Sequence, residues 1–288
     1  MGILAFDIGG TAVKYALYEE QGLKESSSFQ TPSSWKEMKD NLYRVFESYA
    51  ASPIEGIAFS SPGTVDAVLG EIRGKSAVPY LHNFPILKEL EDLFSLPVSI
   101  ENDANCAALA EVEFGVAKES TNAAFFIIGS GIGGAIVINR ELYKGSSLFA
   151  GEFGYMLQTA KDSLSMLASP VNVAGTYSKA VGLSPSISGK ELFERAEKGE
   201  TGAIEAVSHL YDELARGIYN ILFVFNPDVV VIGGGISVRP DLLEKVDSRV
   251  KGLLEENGIT DLPYEIKICR FHNDANLLGA VANFKKRA

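Results

Sequence analysis

Apolar positions near the N-terminus follow the two-residue period of strands and then switch to the period of a helix. They predict strands at 2–8, 13–19 and 24–31, with a turn at 20–22 before the third. Apolar and aromatic positions then recur at helical spacing, which predicts a helix facing the core, and another strand follows. The helix is defined by Trp35, Met38, Leu42, Val45, Phe46 and Tyr49, and the strand by 55–59.

The same kind of pattern continues to the C-terminus, and strands start again near Asn122. A hairpin of strands followed by alternating helices and strands predicts an α/β fold whose mixed sheets are flanked by helices. The predicted helices lie at 86–94, 103–114, 189–198, 203–225, 240–256 and 276–286. The predicted strands lie at 98–100, 123–128, 134–139, 228–232 and 264–268.

The restart of the strand pattern predicts two domains. A chain of 288 residues with 46% hydrophobic content can bury a sizeable core. No proline- or serine-rich linker marks the boundary, so we place it near 108–120, just before the strand pattern restarts, and divide the chain at 110/111. The pattern alone allows the last helix to pack on either half.

A glycine-rich turn between two apolar strands occurs once in each half. Glycines let backbone N–H groups approach an anion closely, and a neighbouring hydroxyl adds a donor, so the two turns resemble phosphate grips. One such turn by itself is more often an ordinary hairpin, but a nucleotide held between two domains needs one grip from each. The candidates are Gly9, Gly10 and Thr11 in the first turn and Ser130 and Gly131 in the second.

The second turn also satisfies the dinucleotide-binding pattern, through Gly129, Gly131 and Gly134. That pattern requires a helix after the third glycine, whereas the apolar β-branched run at 135–138 predicts a strand. The Walker pattern is absent from both turns. A phosphate-binding β-hairpin therefore remains.

Acidic side chains stand where two predicted strands end. Asp7 precedes the first glycine turn, where a carboxylate can face phosphates and hold Mg²⁺ directly or through water. Asp103, beside Asn102, follows the strand at 98–100 and is the candidate base for a substrate hydroxyl. Helix capping is the alternative for Asn102 and Asp103.

The orientation of the Lys14 side chain is left open by the sequence. Lys14 either returns towards the phosphates or lies on a solvated face.

Three other segments are candidate ligand contacts. Gly63 lies in a Pro-Gly turn that can present backbone donors, and Gly234 and Gly235 offer bare backbone to an adenine or ribose. Glu152 and Tyr155 can grip a sugar through a carboxylate and a ring face. Each segment also has an ordinary structural explanation, but one ligand assembly accounts for all of them together.

Composition excludes several classes of protein. A formal charge of −11 and a pI near 4.9 argue against nucleic-acid binding. Cys106 and Cys269 stand alone, which predicts buried thiols and neither a disulfide framework nor a structural zinc site. Met1 leads straight into a strand, without a signal peptide or a membrane-spanning run, so we expect a cytoplasmic protein and no membrane partner.

Taken together, these motifs resemble the ROK kinases and sugar-responsive repressors of the actin/hexokinase-like ATPase superfamily. The likeness covers essentially the whole chain, and several motifs in the right order are more specific than any single one. They are 7–11 with Lys14, 62–66, 101–105, 129–134, 151–154, 233–235 and 278–280.

The resemblance implies two actin-like, ribonuclease H-like domains with an active-site cleft between them. It assigns 1–110 and the C-terminal helix 275–288 to the first domain and 111–274 to the second. It implies ATP-dependent phosphorylation of a sugar. Asp103 is then the base, and both glycine turns contact phosphate. Gly63, Asn102 and Glu152 are the sugar contacts, and Asp7 is the Mg²⁺ partner.

Departures from the family pattern bear on zinc and on substrate. Most members have a His where this chain has Tyr155, followed by a cysteine-rich zinc loop, but 161–170 holds neither Cys nor His. No zinc is therefore expected. The missing loop also removes a group that would crowd the anomeric end of the sugar, so the resemblance implies room for a substituent there. The segments 151–157 and 273–280 look most like the bacterial β-glucoside kinase branch.

We therefore expect a kinase for the 6-hydroxyl of a β-glucoside such as cellobiose or gentiobiose. A glucokinase or an N-acetylmannosamine kinase is the alternative. The alternative from another class is a non-catalytic, sugar-responsive regulator. In this family the repressors add a helix-turn-helix before the first glycine turn, whereas here the first predicted strand already begins at Gly2. Assembly is left open, with a homodimer among the options.

Overall fold

The computed structural model describes residues 2–20 and 22–287, so the turn expected at 20–22 lies partly outside the described residues. The chain divides into two compact units. Unit 1 comprises residues up to Gly115, Gly145–Phe149 and the C-terminal segment from Asn273; unit 2 comprises Val116–Lys144 and Ala150–His272. The domain bounds expected from the sequence, 1–110 with 275–288 and 111–274, stay a proposal.

Unit 1 is built on a five-stranded mixed sheet with the order β3-β2-β1-β4-β7. β1 pairs antiparallel with β2 and parallel with β4, and β4 pairs parallel with β7. A small hairpin of β5 and β6 follows β4. The strands are β1 (Gly2–Ile8), β2 (Ala12–Glu19), β3 (Gly22–Gln30), β4 (Ile54–Ser61), β5 (Thr64–Asp66), β6 (Glu71–Arg73) and β7 (Val98–Asn102).

Helices cover the two faces of this sheet. They are α1 (Trp35–Ser48), α2 (Ile86–Phe94), α3 (Asp103–Phe114) and the C-terminal α9 (Ala275–Arg287). One face packs a buried aromatic and aliphatic core under α1 and α2, including the stacked rings of Phe6 and Phe59. The other face is lined with small residues such as Ala5 and Ala58, which pack against α9. Small side chains let that helix lie close to the sheet.

Unit 2 repeats the sheet order with the strands β10-β9-β8-β11-β12. Its strands are β8 (Ala123–Ile128), β9 (Ile132–Ile138), β10 (Glu141–Leu142), β11 (Val229–Gly233) and β12 (Ile266–Ile268). Its helices are α4 (Leu164–Ala168), α5 (Pro170–Ala180), α6 (Gly189–Glu197), α7 (Thr201–Val224) and α8 (Leu242–Glu256). Each unit thus pairs an antiparallel hairpin with two parallel strands.

The predicted α/β class with mixed, helix-flanked sheets is confirmed. β9 follows the second glycine turn directly, so the rejection of the dinucleotide-binding reading is confirmed as well. Both cysteines are buried, and neither forms a disulfide, as expected. The sequence did not predict α4 and α5, whose small and β-branched residues carry weak helical periodicity, or the β5–β6 hairpin. In the described part of the chain, no helix combines the length and the apolar character needed to cross a bilayer.

Candidate active site

Several polar residues of unit 1 lie close together where the parallel strands β1, β4 and β7 end. In the strand register Asp7 lies beside Ser60, and Ser60 lies beside Glu101. Residues paired across a sheet point to the same face, so this row of side chains is set by β-sheet geometry alone. α3 begins at Asp103, directly after β7, which brings the predicted base to the same edge of the sheet.

The Asp7 carboxylate is nearly buried, with 8% of its surface exposed. Its Oδ1 accepts two hydrogen bonds, from Ser60 Oγ at 2.8 Å and from Asn276 Nδ2 at 3.0 Å. Burial raises the pKa of Asp7, while these two donors and the positive charge of Lys14 oppose the rise. Among the described residues no donor reaches Oδ2 of Asp7, so one oxygen of this carboxylate is open.

Asp103 has a similar arrangement. Its Oδ1 accepts from the Ala104 N–H at 2.8 Å and from Asn102 Nδ2 at 2.9 Å. Burial raises the pKa of Asp103, and the negative charge of Asp7 raises it further against the opposing hydrogen bonds. No other residue of the described ranges donates to Oδ2 of Asp103, which leaves an acceptor for a substrate proton.

Asn102 performs the capping role and connects the site as well. Its Oδ1 accepts from the Asn105 N–H at 3.1 Å, which caps α3. Its Nδ2 donates to Gly63 O at 3.1 Å and to Asp103 Oδ1. The capping explanation is thus correct for Asn102, and the same side chain joins the candidate base to the Pro-Gly turn.

Glu101 accepts hydrogen bonds that hold Asn102 and Asn105 in place. It is 1% exposed, and its Oε1 accepts from the Asn102 N–H at 2.8 Å and from Asn105 Nδ2 at 3.0 Å. The Arg287 guanidinium of α9 lies 3.7 Å from its other oxygen. Fixed hydrogen bonds of this kind hold a ligand-facing side chain in one orientation.

Negative charge is concentrated around these strand ends. The Cys106 thiol has a pKa raised well above its ordinary value, first by burial and then by the charges of Glu101, Asp7 and Asp103. Cys106 is therefore an inert buried thiol. Its surroundings show that three carboxylates share one small region, which a bound cation would stabilise.

Lys14 lies directly opposite Asp7 in the register of β1 and β2. Opposed residues of an antiparallel pair point to the same face, and the Lys14 ammonium lowers the pKa of Asp7. Its Nζ donates to Asn273 O at 3.5 Å. Of the two readings that the sequence left open, the structure favours the one that brings Lys14 back towards Asp7.

The first glycine turn presents unpaired amides. Gly9 N–H donates to Ala12 O at 3.0 Å, and Gly9 O accepts from Thr31 Oγ1 at 2.6 Å. The N–H groups of Gly10 and Thr11 donate to nothing in the described part of the chain. Two free adjacent amides on an exposed turn are the arrangement that binds phosphate.

The second turn, in unit 2, has the same construction. Gly129 N–H donates to Gly131 O at 2.9 Å, and the carbonyls of Gly129 and Ser130 accept from Ser169 Oγ at 3.2 and 2.9 Å. Within the described ranges, the N–H groups of Ser130 and Gly131 have no acceptor. This turn therefore also presents two free amides, with its carbonyls engaged elsewhere.

A groove of about 540 Å³ lies beside this turn and the end of β11. Gly235 opens onto it, and Gly234 has φ +83°, where a Cβ would overlap the Ile128 carbonyl. One wall is the Phe193 ring, which the Arg239 guanidinium covers at 4.1 Å from the ring centroid. Bare backbone beside apolar walls suits an adenosine.

Glu152 and Tyr155 stand on a short 3₁₀ turn at Phe153–Tyr155. The turn packs tightly against β9, because a Cβ on Gly154 would overlap the Ile132 carbonyl. The Phe153 ring anchors it by stacking on Phe126 at 4.6 Å. The Tyr155 side chain is 75% exposed, so its ring face is available to a ligand.

The donor set fits Mg²⁺. This ion commonly takes one or two carboxylates and completes its coordination with water and substrate phosphates. Asp7 has one open oxygen, and it lies near the carboxylates of Glu101 and Asp103. Among residues 2–20 and 22–287, no group of three or more His, Cys, Asp and Glu side chains could hold a metal ion by itself. The expected absence of zinc stays a prediction.

Sequence reasoning missed three side chains of this site. Ser60 and Asn276 hold Asp7, and Glu101 holds Asn102. A signal for Ser60 existed, since it lies one residue before the end of β4, the strand that pairs parallel with β1. Asn276 lies in the segment 273–280 that carries part of the family resemblance, but nothing in the sequence indicated its contact with Asp7, which is 269 positions away.

Comparison with known proteins agrees with this description. A family model described as ROK family matches residues 3–287. The β-glucoside kinase of Klebsiella pneumoniae is 34% identical over 99% of this chain and 97% of that protein. The glucokinase of Thermotoga maritima is 27% identical over 99% of this chain and 98% of that protein.

A solved structure shows the same likeness. A ROK family protein from Streptococcus pneumoniae TIGR4, solved in complex with sucrose, matches with a TM-score of 0.92 and 34% identity. The match covers 100% of this chain and 99% of that one. Since the family model and these proteins span nearly the full chain, the resemblance seen in the sequence is confirmed, and this chain belongs to the ROK family.

Proposed function

We propose that this protein transfers the γ-phosphoryl group of ATP to the 6-hydroxyl of a β-glucoside such as cellobiose or gentiobiose. The protein is an ATP-dependent carbohydrate kinase, because its relatives over nearly the whole length are named as sugar kinases. The position of phosphorylation and the preference for a glycoside are the parts that need testing.

The observation that carries the mechanism is the open Oδ2 of Asp103. The substrate hydroxyl oxygen attacks the γ-phosphorus, and the bond from phosphorus to the β–γ bridging oxygen breaks. The hydroxyl proton passes to Oδ2 of Asp103. Asp103 accepts the proton only when ionised. Since burial raises its pKa above the ordinary 3.8, kcat/KM falls as the pH is lowered through that raised value.

The remaining groups bind and orient. Asn102 and Gly63 lie beside the base and suit neighbouring sugar hydroxyls, and Glu152 offers a carboxylate to others. The free amides of the two glycine turns and the Lys14 ammonium suit phosphates. The groove at Gly235 suits the adenosine.

Asp7 is the residue that would hold Mg²⁺, directly or through water. When bound, Mg²⁺ neutralises charge on the β- and γ-phosphates and so favours their approach to a site rich in carboxylates. The chain's own contribution is the nearly buried, hydrogen-bonded carboxylate that keeps one oxygen open.

Two features support a β-glucoside. The first is the similarity to a curated β-glucoside kinase. The second is the run after Glu152, where Tyr155 is 75% and Leu157 65% exposed. An exposed aromatic face beside a sugar-binding carboxylate is suited to stacking a second sugar ring.

A coupled ADP-release assay tests the substrate. We expect cellobiose or gentiobiose to give a higher kcat/KM than glucose or N-acetylmannosamine, and ³¹P-coupled NMR of the product to place the phosphate at the 6-oxygen. A higher kcat/KM for either monosaccharide would contradict the glycoside preference. ADP release with none of the four would contradict this choice of substrates.

Tyr155→Ala tests the stacking surface. Aromatic stacking contributes about 0.5–1.5 kcal/mol, so KM for cellobiose should rise about 2–10-fold, with a smaller rise for glucose. Tyr143→Ala, which removes a comparably accessible tyrosine of unit 2 at 51% exposure, is the control. An equal rise for the two sugars would mean that Tyr155 does not contact the second ring.

A further inference from the structure

Two elements far apart in the chain converge on one oxygen of Asp7. Ser60 reaches Oδ1 from the neighbouring strand β4, and Asn276 reaches it from the first turn of α9. A carboxylate oxygen has two acceptor positions in its plane, and two donors at 2.8 and 3.0 Å occupy them. The other oxygen, Oδ2, accepts nothing from the described residues.

This asymmetry matters because the terminal torsion of an aspartate is broad. Rotation about it exchanges the two oxygens at little cost unless hydrogen bonds hold one of them. The Ser60 hydroxyl is 0% exposed but can rotate, whereas the planar amide of Asn276 donates in a fixed direction. Asn276 is therefore the donor that defines the plane of the carboxylate.

α9 is seated so that Asn276 can reach Asp7. Gly279, one turn further along the helix, packs against the backbone of α3, where a Cβ would overlap the Cys106 carbonyl. Leu277 and Ala280 are 0% exposed and pack with Ile3 of β1. Backbone contact at a glycine fixes the distance between a helix and its neighbour, and with it the reach of nearby side chains.

We infer that Asn276 is a positioning residue for the Mg²⁺–nucleotide site: by holding Oδ1 of Asp7, it keeps Oδ2 as the oxygen presented to Mg²⁺ or its bound water. The inference rests on the proposed function, in which Asp7 is the Mg²⁺ partner. Partners that orient metal-binding carboxylates typically contribute 10–100-fold to metal affinity or activity, and Asn276 has this relation to Asp7.

Isothermal titration calorimetry of ADP binding in the absence of sugar tests the inference. The dissociation constant of ADP is measured with Mg²⁺ and with EDTA for the wild-type chain and for the variants Asn276→Ala and Asn276→Leu. The leucine variant keeps the side-chain volume but removes the hydrogen-bond donor. The ratio of the two constants is the advantage that Mg²⁺ gives. We expect this advantage to fall about tenfold or more in each Asn276 variant, while the affinity for metal-free ADP is unchanged.

Asn283→Ala is the matched control. Asn283 lies on the same helix, is 5% exposed, and its Nδ2 donates to no partner in the described residues. This variant should keep the wild-type advantage. Circular dichroism and urea unfolding identify which variants are folded, and Asn276→Leu decides the question if Asn276→Ala is not.

The outcomes separate the inference from the function on which it rests. A wild-type Mg²⁺ advantage in a folded Asn276 variant overturns the inference, and so does an equal loss in Asn283→Ala. Absence of any Mg²⁺ advantage in the wild-type chain instead contradicts the role proposed for Asp7. Sugar phosphorylation is measured separately, so its failure would contradict only the proposed reaction.

Discussion

The glycine hairpins of the two units are built alike but carry different side chains. In each, the first N–H is bonded within the turn, a hydroxyl side chain holds a carbonyl, and two amides are left free. Two positions before the first glycine, however, β1 has Asp7 and β8 has Ile127. The shared construction suits phosphate, and the difference restricts the carboxylate to unit 1.

The ends of the parallel strands differ in the same way. In unit 1 they carry Ser60 and the run 101–103, whereas β11 ends in glycines and β12 leads to the buried Cys269. Equivalent sheet topology thus provides hydrogen-bonding side chains in one unit and bare backbone in the other. Sheet topology thus determines where a ligand can approach, while the residues at the strand ends determine what chemistry is possible there.

The largest expected effect comes from removing the proposed base, Asp103, which lies in unit 1. Asp103→Asn keeps the acceptor for Ala104 and Asn102 but cannot take a proton, so kcat should fall about 10²–10⁴-fold. Steady-state kinetics with saturating ATP and sugar measure this change. Asp261→Asn, at an exposed site of unit 2, should leave kcat unaltered. Turnover near the wild-type level in Asp103→Asn would remove Asp103 from the mechanism.

A smaller loss is expected from making the two hairpins alike in charge. Asp7→Asn retains an oxygen for Ser60 and Asn276 but removes the negative charge, so kcat/KM for ATP should fall about 10–100-fold. The fall should be partly reversed by higher Mg²⁺, which a kinetic titration of the metal measures. Ile127→Val, at the matching position of unit 2, is the control. Equal kinetics of Asp7→Asn and wild type would show that the difference between the hairpins has no role in catalysis.

The turns themselves should differ in tolerance of a methyl group. A Cβ on Gly10 would lie 2.7 Å from Ala77 Cβ, whereas one on Gly131 would lie 3.5 Å from Ser165 Oγ. Gly10→Ala should therefore cost about 1–3 kcal/mol of unfolding free energy, as overpacking does. Gly131→Ala should cost less than about 0.5 kcal/mol. Urea unfolding midpoints compare the variants, and equal costs would show that the contact at Ala77 is not restrictive.

The smallest effect concerns the free-energy cost of keeping the buried carboxylate of Asp103 charged. Because the pKa of Asp103 is raised in the folded state, its contribution to stability is complete below the ordinary value of 3.8. That contribution is lost as the pH rises through the raised pKa. Asp103→Asn cannot ionise, so at pH 8 its Tm should exceed that of the wild type.

The pH dependence of that difference is its test. The gain in Tm should shrink as the pH is lowered through the raised pKa of Asp103, because the wild-type carboxyl then becomes protonated. Scanning calorimetry of the wild type, Asp103→Asn and Asp261→Asn over this range measures it. A gain that is the same at every pH would indicate a cause other than the charge.

Much of the fold was predictable because local pattern and local chemistry agree. Apolar runs and glycines located the two hairpins, and an acidic residue after β7 located Asp103. The direction of Lys14 was left open by the sequence, since it depends on the register of β1 and β2. α4 and α5 were missed because tertiary packing, including Leu164 and Ala168 at 0% exposure, stabilises helices of weak periodicity.

The sequence by itself determined the chemical types present and their order along the chain: two phosphate-suited turns, an aspartate at a strand end, and a family resemblance that the comparisons confirm. Only the tertiary structure decided which oxygen of each carboxylate is open. That depends on donors such as Asn276, brought to Asp7 from 269 positions away. Hydrogen bonds between distant elements follow from helix and sheet packing, which no local pattern records.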